Sequence, residues 1–196
     1  MGKSMEVSWV MDHYRVVILG AAEVGKSSLI ANYTQGKDLS YKETTLISSY
    51  YPIHPEKTIR LDCWELAGNE RWHQLAPYYY KDAQAALVVY DVQDPQSLWT
   101  AKEWIKKMQN EVSRDIIIAI VGNKSDLWDA SCIDSIEVQN YAFEHGFIFI
   151  ETSVKTGQNI NELFATITQE LKTRKTPMCY KQEQTVSKHR CRCGCI

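Results

Sequence analysis

The sequence predicts an α/β protein, a three-layer sandwich in which a mostly parallel six-stranded sheet carries helices on both faces. Three observations support this fold class. Strand-like segments alternate with helical segments, two of the strands are continuously apolar, and a glycine-bounded loop joins the first strand to the first helix. Continuously apolar strands are typical of parallel sheets, because helices cover both of their faces.

The first half of the chain supplies a buried strand, a helix and two paired strands. His13–Gly20 is an apolar run ending in glycine, and Lys26–Gly36 has helical spacing with a terminal glycine suited to a C-cap. Leu39–Ile47 shows no clear period and is predicted to be a loop. The segments SSYYPI and TIRLDCW then alternate, which predicts two strands in a hairpin turning at HPEK.

The second half repeats the alternation of strand and helix. Ala85–Asp91 is a continuous apolar strand, and a helix enters at Asp94 with Pro95 at its first position. The strand IIIAIVGN follows, and then the helix DSIEVQNYAFEHG with Asp134 as its N-cap. The strand FIFIETS and the helix NINELFATITQELK complete the predicted fold.

Composition and charge divide the chain into one folded domain and two terminal segments. The 196 residues are 44% hydrophobic and carry a net charge of −2, as expected of a globular protein. From Thr173 to Ile196 six Lys or Arg stand against one Glu, so the tail is basic and the remainder acidic. We expect an N-terminal extension over residues 1–12, a folded domain over 13–172 and a flexible basic tail over 173–196 that favours an anionic surface.

Neither a membrane span nor a secretory signal is predicted. No apolar run reaches the roughly 18 residues that a span needs, and the N-terminus lacks an apolar secretory core. Glu6 stands where an N-myristoylation pattern requires Ser or Thr. A cytosolic chain is therefore expected, in which the six Cys are thiols rather than disulfides.

The strongest local motif is GAAEVGKS, Gly20–Ser27, which matches a P-loop between a strand and a helix. Backbone N–H groups of such a loop point at phosphate oxygens, and the helix dipole assists them. Lys26 is expected to hold the β- and γ-phosphates, and Ser27 to ligate Mg²⁺. The alternative is an ordinary strand–turn–helix, which the motif and its context together disfavour.

A second motif, NKSD at Asn123–Asp126, follows a buried strand at the sheet edge where α/β proteins bind ligands. The Asp126 carboxylate can accept two N–H groups from guanine and would repel the adenine edge. Asn123 can tie this loop to the P-loop, and Lys124 can lay its stem along the base. Alone the tetrapeptide is weak, but in register after a P-loop it predicts guanine specificity.

These motifs, with WELAGNE and ETSVK in the same order, resemble those of the Ras-like small GTPases and more closely the Rab proteins. The segment ERWHQLAPYYYKDAQAALVVYD is similar to the endosomal branch, and the resemblance covers about Tyr14 to Leu171. It implies a P-loop small GTPase fold and a GTP/GDP switch with Mg²⁺ that regulates vesicle trafficking in the endocytic pathway. It also implies an exchange factor, a GTPase-activating protein and effectors of the GTP form, without nucleic acid as a partner. The location implied is the cytoplasmic face of endosomal or plasma membranes, with cycling through the cytosol.

The resemblance assigns site residues by position. Ser153–Lys155 supports the base through a backbone N–H, although Val154 replaces the usual Ala. Thr45 joins Mg²⁺ and senses the γ-phosphate, with Thr44 as the competing choice. The metal residues implied are Ser27, Thr45 and Glu65. The nucleotide-binding residues implied are Ala22, Glu23, Val24, Gly25, Lys26, Ser27, Ser28, Thr45, Gly68, Asn123, Lys124, Asp126, Ser153, Val154 and Lys155.

The catalytic positions implied by the resemblance are Lys26, Gly68 and Asn69. In the family, the acid at Glu65 is an Asp that holds Mg²⁺ through water, Gly68 turns its N–H to the γ-phosphate, and a Gln at Asn69 orients the attacking water. Asn69 is shorter than Gln by roughly 1.5 Å. A misplacement of about 1 Å costs on the order of 10²-fold, so slow hydrolysis is expected.

Three further positions depart from the family. Asp38 replaces an aromatic residue that packs against guanine, which predicts faster nucleotide loss. Ile47 replaces a glycine, so the loop is expected to close differently. Glu23 stands in the P-loop in place of a small residue and is expected to point at solvent.

Tyr50, Trp64 and Tyr79 match the aromatic triad that Rab proteins present to effectors. The alternative for a Trp at a strand end is the core. Both interpretations remain open from the sequence.

The tail ends in SKHRCRCGCI, which resembles the prenylation sites of Rab proteins. Cys193 and Cys195 fit a paired site, and two lipids with basic residues satisfy the requirement for stable anchoring. The alternatives are a lipid on Cys193 alone, or Zn²⁺ bound by Cys179, His189 and the three terminal cysteines, which the absence of folded elements disfavours.

Two functions remain from the sequence. The first is a slow Rab-type GTPase, and the second is a GTP-binding module that recruits effectors with negligible hydrolysis. A nucleotide kinase would need an acceptor site and a lid, and neither is recognisable in the sequence.

Overall fold

A computed structural model describes residues 12–35, 47–50, 59–68, 74–112, 115–127, 129 and 133–174, with the backbone alone for 35 and 47–50. The strands are β1 (Asp12–Gly20), β2 (Ile47–Tyr50), β3 (Ile59–Leu66), β4 (Ala85–Asp91), β5 (Ile117–Asn123) and β6 (Ile148–Glu151). The helices are α1 (Lys26–Gln35), α2 (Pro77–Tyr80), α3 (Pro95–Glu111), α4 (Ser135–His145) and α5 (Ile160–Arg174).

The six strands form one sheet in the order β2-β3-β1-β4-β5-β6. Strands β2 and β3 pair antiparallel, and every other neighbouring pair is parallel. The predicted fold class, a mostly parallel six-stranded sheet, is therefore confirmed. Since the carboxyl ends of the parallel strands meet at one edge, the loops after β1, β3, β4, β5 and β6 converge there.

The sheet separates two apolar cores. Alternate residues of β1 point to opposite faces, with Val16 and Ile18 in one core and Val17 and Leu19 in the other. Helices α1 and α5 cover the first core, while α2, α3 and α4 cover the second. Because β4 and β5 are buried on both faces, they are continuously apolar in the sequence, and β1 is so from Val16 to Leu19.

The longer helices begin where the sequence indicates. Asp94 caps α3 and Asp134 caps α4, each by accepting a backbone N–H two residues on. Pro95 occupies the first turn of α3, as predicted, where its missing N–H costs nothing. Gly146 ends α4 in the left-handed conformation that favours glycine. No described helix is long and apolar enough to cross a membrane.

Several predicted boundaries differ from the structure. Ile47 was predicted to be in a loop but is the first residue of β2, because its backbone pairs with that of Leu66. Strand β3 continues through Glu65 to Leu66, so the acid lies within the strand rather than after it. Helix α2 was missed, since its single turn is too short to show a period.

The two ends of the folded region also extend past their predicted limits. Strand β1 begins at Asp12, and α5 continues through Thr173 to Arg174. In contrast, β6 covers only Ile148–Glu151 of the predicted segment, and all four of its residues are half-buried at the sheet edge. The predicted turn at HPEK and the predicted C-cap at Gly36 lie outside the described residues.

Candidate functional site

The loop after β1 has the backbone that a phosphate-binding loop requires. Gly20 and Gly25 have φ of 141° and 95°, a region that residues with a Cβ rarely adopt. A Cβ on Gly20 would strike the carbonyl oxygen of Val89, and one on Gly25 would strike the Asn123 amide. Glu23 also has positive φ, at 62°, and the residue is exposed; its orientation relative to the phosphates stays a prediction.

Lys26 begins α1 and is only 5% exposed. Its Nζ donates to the carbonyl oxygens of Gly20 at 3.1 Å and Ala21 at 2.5 Å. Burial lowers the pKa of Lys26 to about 8, although the neighbouring Glu65 carboxylate acts to raise it. A buried ammonium held by two neutral carbonyls is well placed to neutralise a phosphate.

Ser27 and Glu65 meet at the same edge of the sheet. The Ser27 hydroxyl donates to Oε1 of Glu65 at 2.5 Å, and Glu65 is 1% exposed. A hydroxyl and a carboxylate are the hard oxygen donors that Mg²⁺ prefers alongside phosphate oxygens. The described residues contain no group of three or more His, Cys, Asp or Glu that could hold a metal alone. This pair therefore fits a magnesium ion shared with a phosphate ligand.

Asn123 connects the P-loop to the loop after β5. It is 1% exposed, and its Nδ2 donates to the carbonyl oxygen of Val24 at 2.8 Å. Its Oδ1 accepts the hydroxyl of Thr152 at 3.2 Å. The predicted tether between the two loops is thus present, and Thr152 extends it to the end of β6.

Asp126 lies in a single turn of 3₁₀ helix, Ser125–Leu127. The Ser153 hydroxyl donates to its Oδ1 at 2.6 Å, and the Lys155 ammonium lies 3.4 Å from its Oδ2. The hydrogen bond from Ser153, with the nearby Lys155 charge, holds the pKa of Asp126 below its usual value. The carboxylate is therefore ionised and oriented, as an acceptor for two N–H groups must be.

Lys124 adopts a left-handed backbone, with φ of 66°, and its Nζ pairs with Asp91 at 2.7 Å. This contact fixes the side chain at the carboxyl edge between β4 and β5. The Asn32 amide donates to the carbonyl oxygen of Val154 at 3.2 Å, which joins α1 to the loop after β6. The predicted P-loop, NKSD and Ser153–Lys155 segments are therefore linked by hydrogen bonds along one edge of the sheet.

Gly68 lies directly against the P-loop. A Cβ there would strike the backbone of Ala21 and Ala22, so only glycine permits this approach.

Trp64 and Tyr79 of the predicted triad are half-buried, with ring centroids 5.6 Å apart, and Arg15 lies 5.3 Å from the Trp64 ring. Several predicted residues lie outside the part of the chain that the structure describes: Asp38, Thr44, Thr45, Asn69, Cys193, Cys195 and the side chain of Tyr50.

Sequence reasoning missed two residues of the site. Asp91 pairs with Lys124, and its position at the carboxyl end of a buried strand was the available signal. Thr152 bonds Asn123, but a threonine before Ser153 carries no signal of its own. Each of them contacts a residue that the motifs did identify, Lys124 and Asn123 respectively.

Comparison with known proteins agrees with this geometry. The model of the Ras family matches residues 15–173. Over 167 residues the chain is 43% identical to the Ras-related protein Rab-5A of Dictyostelium discoideum. The aligned region covers 84% of this chain and 82% of that protein. The resemblance to Rab proteins of the endosomal branch is thereby confirmed. The chain belongs to the Ras family and is a Rab-like small GTPase by sequence.

Proposed function

We propose that this protein is a guanine-nucleotide switch that binds GTP and GDP with Mg²⁺ and hydrolyses GTP slowly. Ras-family members are GTPases that bind these nucleotides and Mg²⁺. The observation that carries the proposal is the bond from the Asn123 amide to the Val24 carbonyl. It couples the phosphate loop to the loop bearing Asp126, so that one ligand with both phosphates and a base spans the two.

The residues of the proposed site divide the work of binding and catalysis. Lys26 neutralises the β- and γ-phosphates, and the P-loop backbone donates its N–H groups to them. Ser27 and Glu65, with Thr45, hold Mg²⁺, which when bound neutralises charge on the phosphate oxygens. Gly68 donates its N–H to the γ-phosphate, and Asn69 orients the attacking water.

The base site is built from the loops after β5 and β6. Asp126 accepts two N–H groups of guanine, and Ser153 holds its carboxylate in place. Lys124, fixed by Asp91, covers one face of the base. The Ser153–Lys155 segment supports the base through a backbone N–H. Ala22, Glu23, Val24, Gly25 and Ser28 complete the nucleotide contacts.

The same proposal assigns the remaining segments. Residues 13–172 form the GTPase domain, and the basic tail over 173–196 carries lipids on Cys193 and Cys195. Tyr50, Trp64 and Tyr79 contact effectors of the GTP form. The protein acts in endocytic vesicle trafficking at the cytoplasmic face of endosomal or plasma membranes, under an exchange factor and a GTPase-activating protein.

A second candidate function is an effector-recruiting module with negligible hydrolysis. Its support is Asn69, whose shorter side chain holds a water less well than Gln. In that case the GTP form would be set by exchange rather than by turnover.

A single-turnover assay on the full chain separates the two functions. We expect measurable but slow conversion of bound GTP to GDP, and a rise of about 10- to 100-fold in Asn69→Gln because the longer amide reaches the water. Asn140→Gln, the same change on the exposed side of α4, is the control and leaves the rate unchanged.

Two outcomes would contradict the slow-GTPase proposal. Absence of GDP after prolonged incubation of a GTP-loaded protein would establish the second candidate instead. A rate in Asn69→Gln equal to that of the unchanged chain would show that Asn69 does not limit hydrolysis.

A further inference from the structure

Glu65 is held at a fixed depth in the sheet. Strand β3 lies between β1 and β2, and Glu65 is in register with Ile18 on one side and Ser48 on the other. Because both neighbours hold its backbone, the Cα cannot retreat to accommodate a longer side chain. The position of the carboxylate is therefore set by the length of the side chain.

The two oxygens of this carboxylate have different surroundings. Oε1 accepts the Ser27 hydroxyl at 2.5 Å. Oε2 is buried and has no hydrogen-bond partner among the described residues. The buried ammonium of Lys26 donates to the carbonyls of Gly20 and Ala21 instead. A buried carboxylate oxygen without a partner is costly, so its presence points to a ligand that supplies one.

The arrangement suits a carboxylate that binds a metal through one oxygen. The second oxygen of such a carboxylate accepts a hydrogen bond from a neighbouring metal-bound hydroxyl or water, which fixes the orientation of the carboxylate. Here the Ser27 hydroxyl donates a hydrogen bond to Oε1. Oε2 is then the oxygen left for the same ion.

The reach of the side chain decides between direct and water-mediated contact. A direct oxygen ligand lies about 2.1 Å from Mg²⁺, whereas an oxygen that bonds a metal-bound water lies roughly 4 Å away. The difference of about 2 Å is close to the roughly 1.5 Å that one additional methylene supplies. An aspartate at the same Cα would therefore reach only a metal-bound water, whereas the glutamate is long enough to reach the metal itself.

We propose that Glu65 binds the nucleotide-associated Mg²⁺ directly through Oε2 and replaces one of its waters. This inference rests on the proposed nucleotide function and specifies how that site holds its metal. An anionic ligand in the first coordination shell retains the ion more firmly than a water does. It also offsets part of the positive charge that the ion presents to the phosphates, which slows hydrolysis independently of Asn69.

The test counts the waters on the metal, using full-length protein loaded with GDP and Mn²⁺ in place of Mg²⁺. Broadening of the Mn²⁺ electron paramagnetic resonance lines in ¹⁷O-enriched water reports how many waters are bound. Thr45 is not counted, because GDP lacks the γ-phosphate that Thr45 senses. With six positions shared among Ser27, one phosphate oxygen and Glu65, we expect about three waters in the unchanged chain and about four in Glu65→Asp. We also expect Glu65→Gln to weaken Mn²⁺ binding at least about tenfold, since the amide carries no charge.

Glu162→Asp, the same shortening on an exposed residue of α5, is the matched control and keeps the count of the unchanged chain. A count of about four waters in the unchanged chain would overturn the proposal, whether or not Glu65→Asp folds. Equal counts in the unchanged chain and Glu65→Asp would overturn it as well. Failure of the unchanged chain to retain GDP would instead refute the nucleotide function, and the metal inference with it.

Discussion

Lys26 shows how one residue can be unfavourable for the free protein and favourable for the complex. Its ammonium is buried with two carbonyl oxygens, and this burial lowers its pKa to about 8. A nucleotide brings phosphate charges to the same place and favours the protonated form. The free energy of charging Lys26 is therefore recovered only when a phosphate ligand is bound.

This opposition predicts a pH dependence of nucleotide binding. Above about pH 8 the free protein holds Lys26 neutral, while the complex holds it protonated, so binding takes up a proton. The affinity for GDP should fall as pH rises from 8 to 9, by up to about tenfold per pH unit, and remain flat from pH 6.5 to 7.5. Equilibrium titration with a fluorescent GDP analogue at each pH measures this affinity.

Lys26→Arg is the control for this prediction, since a guanidinium does not titrate in that range. The affinity of Lys26→Arg for GDP should be weaker, but residue 26 should add no dependence on pH between 8 and 9. An affinity of the unchanged chain that stays constant up to pH 9 would contradict the account of Lys26.

Individual site residues were predictable to different degrees. Lys26, Asn123 and Asp126 were identified because short motifs specify them with their spacing. The contact of Ser27 with Glu65 joins residues 38 positions apart, and no local pattern states that two such side chains meet. Asp91 was missed for the same reason, since its partner Lys124 directly follows the neighbouring strand β5.

At the scale of the element, helix α4 depends on its first residue. The Asp134 side chain accepts the backbone N–H of Ile136 at 2.9 Å, and Gly146 closes the other end. Because most of the outward face of α4 is polar, its own contribution to the core comes mainly from Val138 and Ala142. The cap therefore matters more to α4 than to a helix with a broad apolar face, such as α5.

Asp134→Ala should lower the free energy of unfolding by about 1 kcal/mol, because a backbone donor of the first turn loses its acceptor. Asp134→Asn, which keeps a cap of similar strength, should stay close to the unchanged chain. Urea denaturation of the GDP-bound protein measures both. An equal loss in the two variants would show that the charge of Asp134, and not its cap, stabilises α4.

Elements with their own start and stop signals were the ones that the sequence predicted well. Helices α3 and α4 carry an Asp cap, and α3 adds a proline in its first turn. Helix α2 has a proline followed by three tyrosines, a single turn that is stabilised by packing rather than by its pattern. The edge strand β6 ends earlier than predicted, because Thr152 and Ser153 turn toward Asn123 and Asp126.

At the scale of the whole molecule, the alternation of strands and helices was sufficient to predict the fold class and the strand number. It does not give the order of the strands, since β3 and β4 both pair with β1 from opposite sides. That order places the phosphate loop in the middle of the sheet and the base loop toward β6. A ligand lying across the edge therefore contacts both.

The basic tail makes a separate prediction about the whole protein. In eukaryotic cells we expect two prenyl groups on the chain, on Cys193 and Cys195, because a single lipid gives only reversible binding. Mass spectrometry of the intact protein measures the number of lipids. In cell fractionation, the double variant Cys193→Ser/Cys195→Ser should be found in the cytosol instead of the membrane fraction. Cys63→Ser is a control for cysteine loss, since that thiol is buried. An unlipidated C-terminus would refute the anchor.

The central claim is that one site reads both phosphate and guanine, and competitive binding of GDP and ADP to the full-length protein tests it most directly. Two hydrogen bonds to the Asp126 carboxylate should favour GDP at least about 100-fold. Asp126→Asn should lose most of this preference, whereas Asp82→Asn, an exposed acid before β4, should keep it. Equal affinities for GDP and ADP in the unchanged chain, or a preference that survives in Asp126→Asn, would contradict the account.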